Sequence, residues 1–193
     1  MKYVISLFWI GLLLASCDRS EYSKMVRAEL KKGIRNDSVL LGINLGDTRN
    51  EFYGKCFDLN RQRLVRQGPD NMSVEYIFQD SLVHPQKTQI RLLFFPAFDS
   101  LDRITDVYME WSYSAWAPWN RHLQSDSLEK KVLRLLADWY GGNEFITAKV
   151  MDRELPVKVD ANRRIVVYIK DPQSVGVNVQ DILHPKFKHS ITK

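Results

Sequence analysis

The side chains with the most chemistry to offer in this 193-residue chain are two cysteines, four histidines and a scatter of carboxylates. Cys17 closes an apolar run, directly after Leu14-Ala15-Ser16 and directly before Asp18-Arg19-Ser20-Glu21. A thiol with small neighbours at such a boundary is open to enzymes that modify it or cut beside it. Cys56 sits differently. Phe52 and Tyr53 precede it at helical spacing and share its face, the setting of a small buried thiol. A catalytic thiolate needs an activating histidine, and His84, His122, His184 and His189 are all distant in sequence. None of the four pairs with another at a metal-ligand spacing. The chain has no Gly-x-Ser-x-Gly, His-Glu-x-x-His, phosphate-cradling glycine loop or paired-cysteine metal motif. Glu51, Glu75, Asp106 and Glu110 are the carboxylates on which a glycosidase pair would draw. Capping and solvated roles are the commoner use of such residues. No metal or cofactor is expected.

The first seventeen residues carry the clearest signal. Lys2 precedes an uncharged stretch, 3–14, that is too short and wrongly flanked for a spanning helix, which makes 1–16 a secretory leader. The tetrad Leu14-Ala15-Ser16-Cys17 resembles the bacterial lipobox. That resemblance implies lipidation of the Cys17 thiol, with Cys17 as the mature N-terminus. Each buried methylene contributes about 0.8 kcal/mol, and stable anchoring takes more than one acyl chain. The expected location is therefore the cell envelope, membrane-anchored and facing the periplasm or the cell surface. Asp18 resembles an inner-membrane retention signal of some enteric bacteria that other Gram-negative groups do not follow, so the choice of membrane stays open. With Cys17 acylated, Cys56 has no disulfide partner within the chain.

Composition fits an ordinary folded body, with 45% hydrophobic and 26% charged residues. The formal net charge of +5 falls by one unit when Lys2 leaves with the leader. Basic residues cluster at Lys31-Lys32, 61–66 and 163–164, as a solvated face or toward anionic headgroups or an acidic partner. The run 61–66 lacks the interleaved aromatics of a single-strand groove, and an address outside the cytoplasm argues against nucleic acid.

Apolar periodicity predicts a short helix over 22–34, with Met25, Val26, Leu30 and Ile34 on one side. An extended run, 39–45, follows. Thr48-Arg49-Asn50-Glu51 has the spacing of a capping box, opening a helix to about Leu59. Beyond the turn Gly68-Pro69-Asp70-Asn71, strands are expected over 73–78, 89–95 and 104–111, with Pro85, Pro96 and Pro118 separating or ending elements. A second round starts at Asp126-Ser127-Leu128-Glu129, with Leu128, Val132, Leu135, Leu136 and Trp139 as an apolar stripe and Gly141-Gly142 as its stop. Strands follow over 145–150, 155–159 and 165–169, with Asp160-Ala161-Asn162-Arg163 as a hairpin turn. Residues 175–179 read as a short edge strand, and the tail from Pro185 as frayed.

This order predicts an α+β fold, helices packed on an antiparallel sheet, and its pattern repeats as two tandem helix-then-strands units. The division is a leader (1–16), an anchor linker and short helix (17–35), a first unit (36–122) and a second unit (123–193). Gly42-Ile43-Asn44-Leu45-Gly46-Asp47-Thr48, leading into a helix and then Val74-Glu75-Tyr76, resembles the small outer-membrane assembly lipoproteins of SmpA type. Tandem copies of such a unit occur in the β-lactamase inhibitor proteins. The resemblance implies a protein that binds other proteins. The body as a whole is similar to uncharacterised lipoproteins of Gram-negative envelopes.

The segment Trp111-Ser112-Tyr113-Ser114-Ala115-Trp116-Ala117-Pro118-Trp119-Asn120-Arg121-His122 holds three of the five tryptophans. One reading is that these rings fill the junction between two halves of a small core. The other is a contact surface, because rigid rings give large contact area at low entropic cost. On that reading Trp111, Trp116, Trp119 and Arg121 are the contact residues. Asp-Ser-apolar triplets at 37–39, 80–82, 99–101 and 126–128 are similar to the acceptor of an envelope O-glycosylation system, and are equally ordinary turn and cap formers. The functional expectation is a lipid-anchored protein-binding or scaffolding module. The alternatives are an envelope hydrolase acting on glycan or peptide, or a glycan-binding lipoprotein.

Overall fold

The strand-like runs of both rounds assemble into one sheet. The computed structural model describes residues 20–78 and 89–190, and Cys17, His84, Pro85 and the 80–82 triplet lie outside them. In chain order the elements are α1 (Glu21–Lys31), β1 (Ser38–Leu40), β2 (Ile43–Asn44), α2 (Arg49–Arg61), β3 (Val65–Gln67), β4 (Val74–Phe78), β5 (Ile90–Phe98) and β6 (Ile104–Tyr113). Then come α3 (Ser125–Tyr140), β7 (Ile146–Val150), β8 (Arg153–Asp160), β9 (Arg163–Ile169) and β10 (Ser174–Asp181). The fold is α+β. Eight strands run antiparallel in the order β3-β4-β5-β6-β10-β9-β8-β7, beside a separate β1–β2 pair. Each half is a four-strand meander preceded by a helix, and the halves meet through their last strands, β6 and β10.

This topology corrects two expectations. Residues 175–179 are not an edge strand but the middle of the sheet, with β10 bonded to β6 on one side and β9 on the other. Val175, Val177 and Val179 are fully buried on one face. On the other, Gly176 leaves room for the Tyr168 ring, whose Cζ would lie 2.5 Å from a Cβ at 176. Pro96 does not end β5 either. It pairs with Val107 of β6, but β4 reaches only as far as Phe94. Past that point β5 has no neighbour on its β4 side among the described residues, and a residue without an N–H is tolerated.

Alternation along the strands sorts the two faces. Leu92, Phe94, Met109, Trp111, Ile165, Val167 and Val177 point toward α2 and α3, where Leu128, Val132 and Leu136 close the main core. The capping box forms as the spacing predicts, with Glu51 N donating to Thr48 Oγ1 and Thr48 N donating to Glu51 Oε2 at 2.7 Å. On the opposite face α1 lays Tyr22 and Val26 over Ala148, Val157, Val159 and Val166, each buried valine contributing about 1.5–3 kcal/mol. Among the described residues no helix is long and apolar enough to cross a membrane.

A buried polar knot ties α1, α3 and the β8–β9 turn together. Lys158, 1% exposed, donates to the carbonyls of Gly141 and Asn143 just past α3 and lies 3.0 Å from Asp160. Asp160 Oδ1 accepts from the Asn143 N–H at 2.7 Å. Glu29 of α1 accepts from Asn143 Nδ2 at 2.6 Å and from the Ala161 N–H at 3.0 Å. Gly142 is needed at this crossing, since its φ is +73° and a Cβ there would lie 2.3 Å from Asp160 Oδ1.

Candidate binding surface

The fold splits the aromatic segment 111–122. Trp111 is not a contact residue: it is fully buried in β6, its ring 5.5 Å from that of Trp139 on α3. Its place on the α3 side of the sheet follows from strand alternation, and no partner reaches it there. For this residue the core-filling reading holds.

The rest of the segment forms a tied surface loop. Asn120 N donates to the Ala117 carbonyl at 3.0 Å and Leu123 N to the Asn120 carbonyl at 3.1 Å, two turns in succession. Gln124, the residue that precedes α3, holds both. Its Nε2 donates to the carbonyls of Ala117 and Asn120, each at 3.0 Å. Its Oε1 accepts from Trp116 Nε1 at 3.3 Å. Trp116 is thereby half-buried against the core, and Leu123 is buried at the far end. Between these pins Trp119 stands 85% exposed, with Pro118 and Arg121 exposed beside it in sequence. Three of the four expected contact residues, Trp116, Trp119 and Arg121, thus share one loop.

Sequence reasoning missed a second surface, the part of the α1 face that α1 leaves bare. Here β5, β6 and β9 present Phe95, Tyr108 and Tyr168. The Phe95 and Tyr108 rings lie 4.8 Å apart. Burial first, and then the neighbouring Tyr168 phenol, hold the Tyr108 hydroxyl above its ordinary pKa. Around these rings the charges are paired: Arg66 with Glu75 at 2.9 Å, Lys170 with Glu110 at 2.5 Å and Lys186 with Asp106 at 2.8 Å. The signal was present in the alternation, which puts Phe95 and Tyr108 opposite the core residues Phe94 and Met109.

The carboxylates considered for acid–base chemistry are all engaged. Glu51 caps α2, and the backbone N–H of Thr48 draws its pKa down; Glu75, Asp106 and Glu110 hold the ion pairs just described. Cys56 is half-buried, and burial pushes its thiol up to about 11. Of its two expected aromatic neighbours, Phe52 is buried while Tyr53 is 57% exposed. His184 lies 3.6 Å from Asp99. Among the described residues, no group of three His, Cys, Asp or Glu is placed to hold a metal ion. The triplet serines divide by setting. Ser100 sits at the exposed β5–β6 turn beside Leu101, 75% exposed, whereas Leu128 after Ser127 is fully buried. Compared with known protein families, curated proteins and solved structures, the chain matches none.

Proposed function

We propose that this chain is a cell-envelope lipoprotein, anchored through Cys17, that acts as a protein-binding or scaffolding module through its Trp116–Arg121 loop. The observation that carries this reading is Trp119. An indole left almost wholly in water, on a loop whose backbone Gln124 ties at 117 and 120, offers a large apolar contact area from a pre-organised backbone. Such pre-organised aromatic residues are where interfaces concentrate their energy. Arg121 alongside supplies the cation that commonly accompanies such an anchor. The lipobox supports the address: an anchored body needs only modest affinity for a neighbour held in the same membrane.

The test is a crosslinked capture from native membranes with the parent chain and with Trp119→Ala, Gln124→Ala and Cys17→Ser. Truncating an exposed ring leaves stability within about 0.5 kcal/mol, whereas loss of a central anchor weakens binding by about 2 kcal/mol or more, some thirtyfold. Trp119→Ala should melt with the parent and lose the partner. Capture that survives Trp119→Ala would contradict the reading. A glycan-binding reading has one observation of its own, the Phe95–Tyr108–Tyr168 cluster on the bare sheet face. Binding of soluble glycan fragments that is lost in Phe95→Ala and kept in Trp119→Ala would favour it.

A further inference from the structure

The C-terminal end of α3 lies roughly 20 Å from the Trp119 loop along the helix axis, and a cleft opens there between α3 and β1. It has two lobes. One, of about 360 Å³, is walled by Leu40, Leu41 and Tyr76. The other, of about 410 Å³, is lined by Arg35, Asn36, Asp37 and Arg163. Ser38, Trp139 and Tyr140 line both, so an apolar lobe and a polar lobe meet at the Trp139 indole. Each falls in the size range of small-molecule sites, and apolar walls with a few convergent polar groups are their usual make-up.

The walls are fixed without a ligand. Trp139 lies against Trp111. Tyr140 donates its hydroxyl to the Val39 carbonyl at 2.5 Å. Arg163 lies over the Tyr140 ring, 4.2 Å from its centroid, and donates from Nη1 to the Ser38 carbonyl at 2.7 Å. A site built this way spends little entropy on ordering itself.

The polar lobe holds two guanidiniums, Arg35 and Arg163, and one carboxylate, Asp37. Asp37 is already engaged through both oxygens, by Arg35 at 2.9 and 3.1 Å and by Asn162 at 2.8 Å. Arg35 spends Nε and Nη2 on Asp37 and Asp181, and its Nη1 makes no hydrogen bond among the described residues. Arg163, only 4% exposed, keeps an Nε–H without an acceptor among the described residues. The Asp160 carboxylate that faces it lies 3.9 Å away and is shared with Lys158 at 3.0 Å. Arg163 is thus closed to a ligand, and Arg35, with its side chain 48% exposed, is the guanidinium left open; a carboxylate accepting from it makes the stronger, charge-assisted bond.

We propose that this cleft binds a small aromatic carboxylic acid, with its ring beside Trp139 in the apolar lobe and its carboxylate on the Arg35 side of the polar lobe. The site is separate from the Trp119 loop and goes beyond the binding role proposed for it.

Calorimetric titration of the full chain with 2-naphthoate, and with its amide and its methylamine isosteres, tests this. The carboxylate should bind saturably below about 1 mM, the amide about tenfold more weakly and the amine not detectably. Ser38→Phe places a ring in both lobes from an exposed strand position. It should abolish naphthoate binding with an unchanged melting temperature, and Arg35→Gln should weaken it about tenfold. The inference is overturned by no saturable binding of the carboxylate, by equal binding of the amine, or by full binding to a folded Ser38→Phe protein.

Discussion

Replacing Lys158 with methionine probes whether the buried polar knot holds the molecule together. Methionine matches the length and apolar stem of lysine, so packing is nearly conserved and the charge is what is removed. The Asp160 side chain, 7% exposed, would lose its ion pair at 3.0 Å. It would keep the Asn143 N–H at 2.7 Å and a distant Arg163 at 3.9 Å. The carbonyls of Gly141 and Asn143 would lose their ammonium donor as well. Breaking one side of a buried pair costs about 3–5 kcal/mol, because the remaining charge is stranded. For a domain of this size each kcal/mol moves the melting temperature by about 2–4 °C, so Lys158→Met should melt roughly 6–20 °C below the parent. Urea unfolding followed by far-ultraviolet circular dichroism reads the same loss as a lower midpoint. Lys158→Met/Asp160→Asn removes the stranded charge while keeping an acceptor for the Asn143 N–H, and should regain about half of the loss. A single variant within about 1 kcal/mol of the parent would refute the reasoning, since neither carboxylate nor carbonyls would then depend on the ammonium.

Trp111→Ala should destabilise by about 3–5 kcal/mol by equilibrium unfolding, whereas Trp111→Phe should cost far less, because it also removes an indole N–H that is buried without an acceptor. In a Cys17→Ser background, alkylation of Cys56 should rise with pH toward an inflection near 11, its burial-raised value, instead of the usual 8.5 or so; an inflection near the usual value would show an open thiol. Gly176→Ala puts a methyl group into the Tyr168 ring and should cost about 1–3 kcal/mol by overpacking. With Tyr168 displaced, the Tyr108 phenol should ionise at lower pH, closer to its ordinary value, measured by absorbance at the phenolate band.

Periodicity was enough for most of the elements. The stripe Leu128, Val132 and Leu136 is the buried side of α3, the Thr48–Glu51 spacing closes as a capping box, and Asp160-Ala161-Asn162-Arg163 turns between β8 and β9. Neighbour relations were less legible, because strand order is set by which faces remain to be covered and not by local pattern. Val175-Gly176-Val177 therefore read as a short edge strand, although its valines and its glycine suit it to the crowded centre. Pro96 read as a breaker because its tolerance depends on how far β4 extends. The proposed contact surface was half legible. Aromatic clustering marked the stretch, and strand alternation separates Trp111 from the rest. The role of Gln124 was hidden, since one amide binding carbonyls at 117 and 120 has no signature in composition. The Trp139 cleft was hidden for the same reason: Ser38, Trp139 and Arg163 meet only when the sheet has formed.

The most direct test of the central claim is site-specific photo-crosslinking in the native envelope, with a photoreactive residue at 118, exposed beside an intact Trp119, and, as control, at Met151, which is 94% exposed on the β7–β8 turn. The account predicts one discrete adduct from position 118, lost when Cys17 is replaced by serine, and none from position 151. No discrete adduct at 118, or the same adducts from both positions, would contradict it.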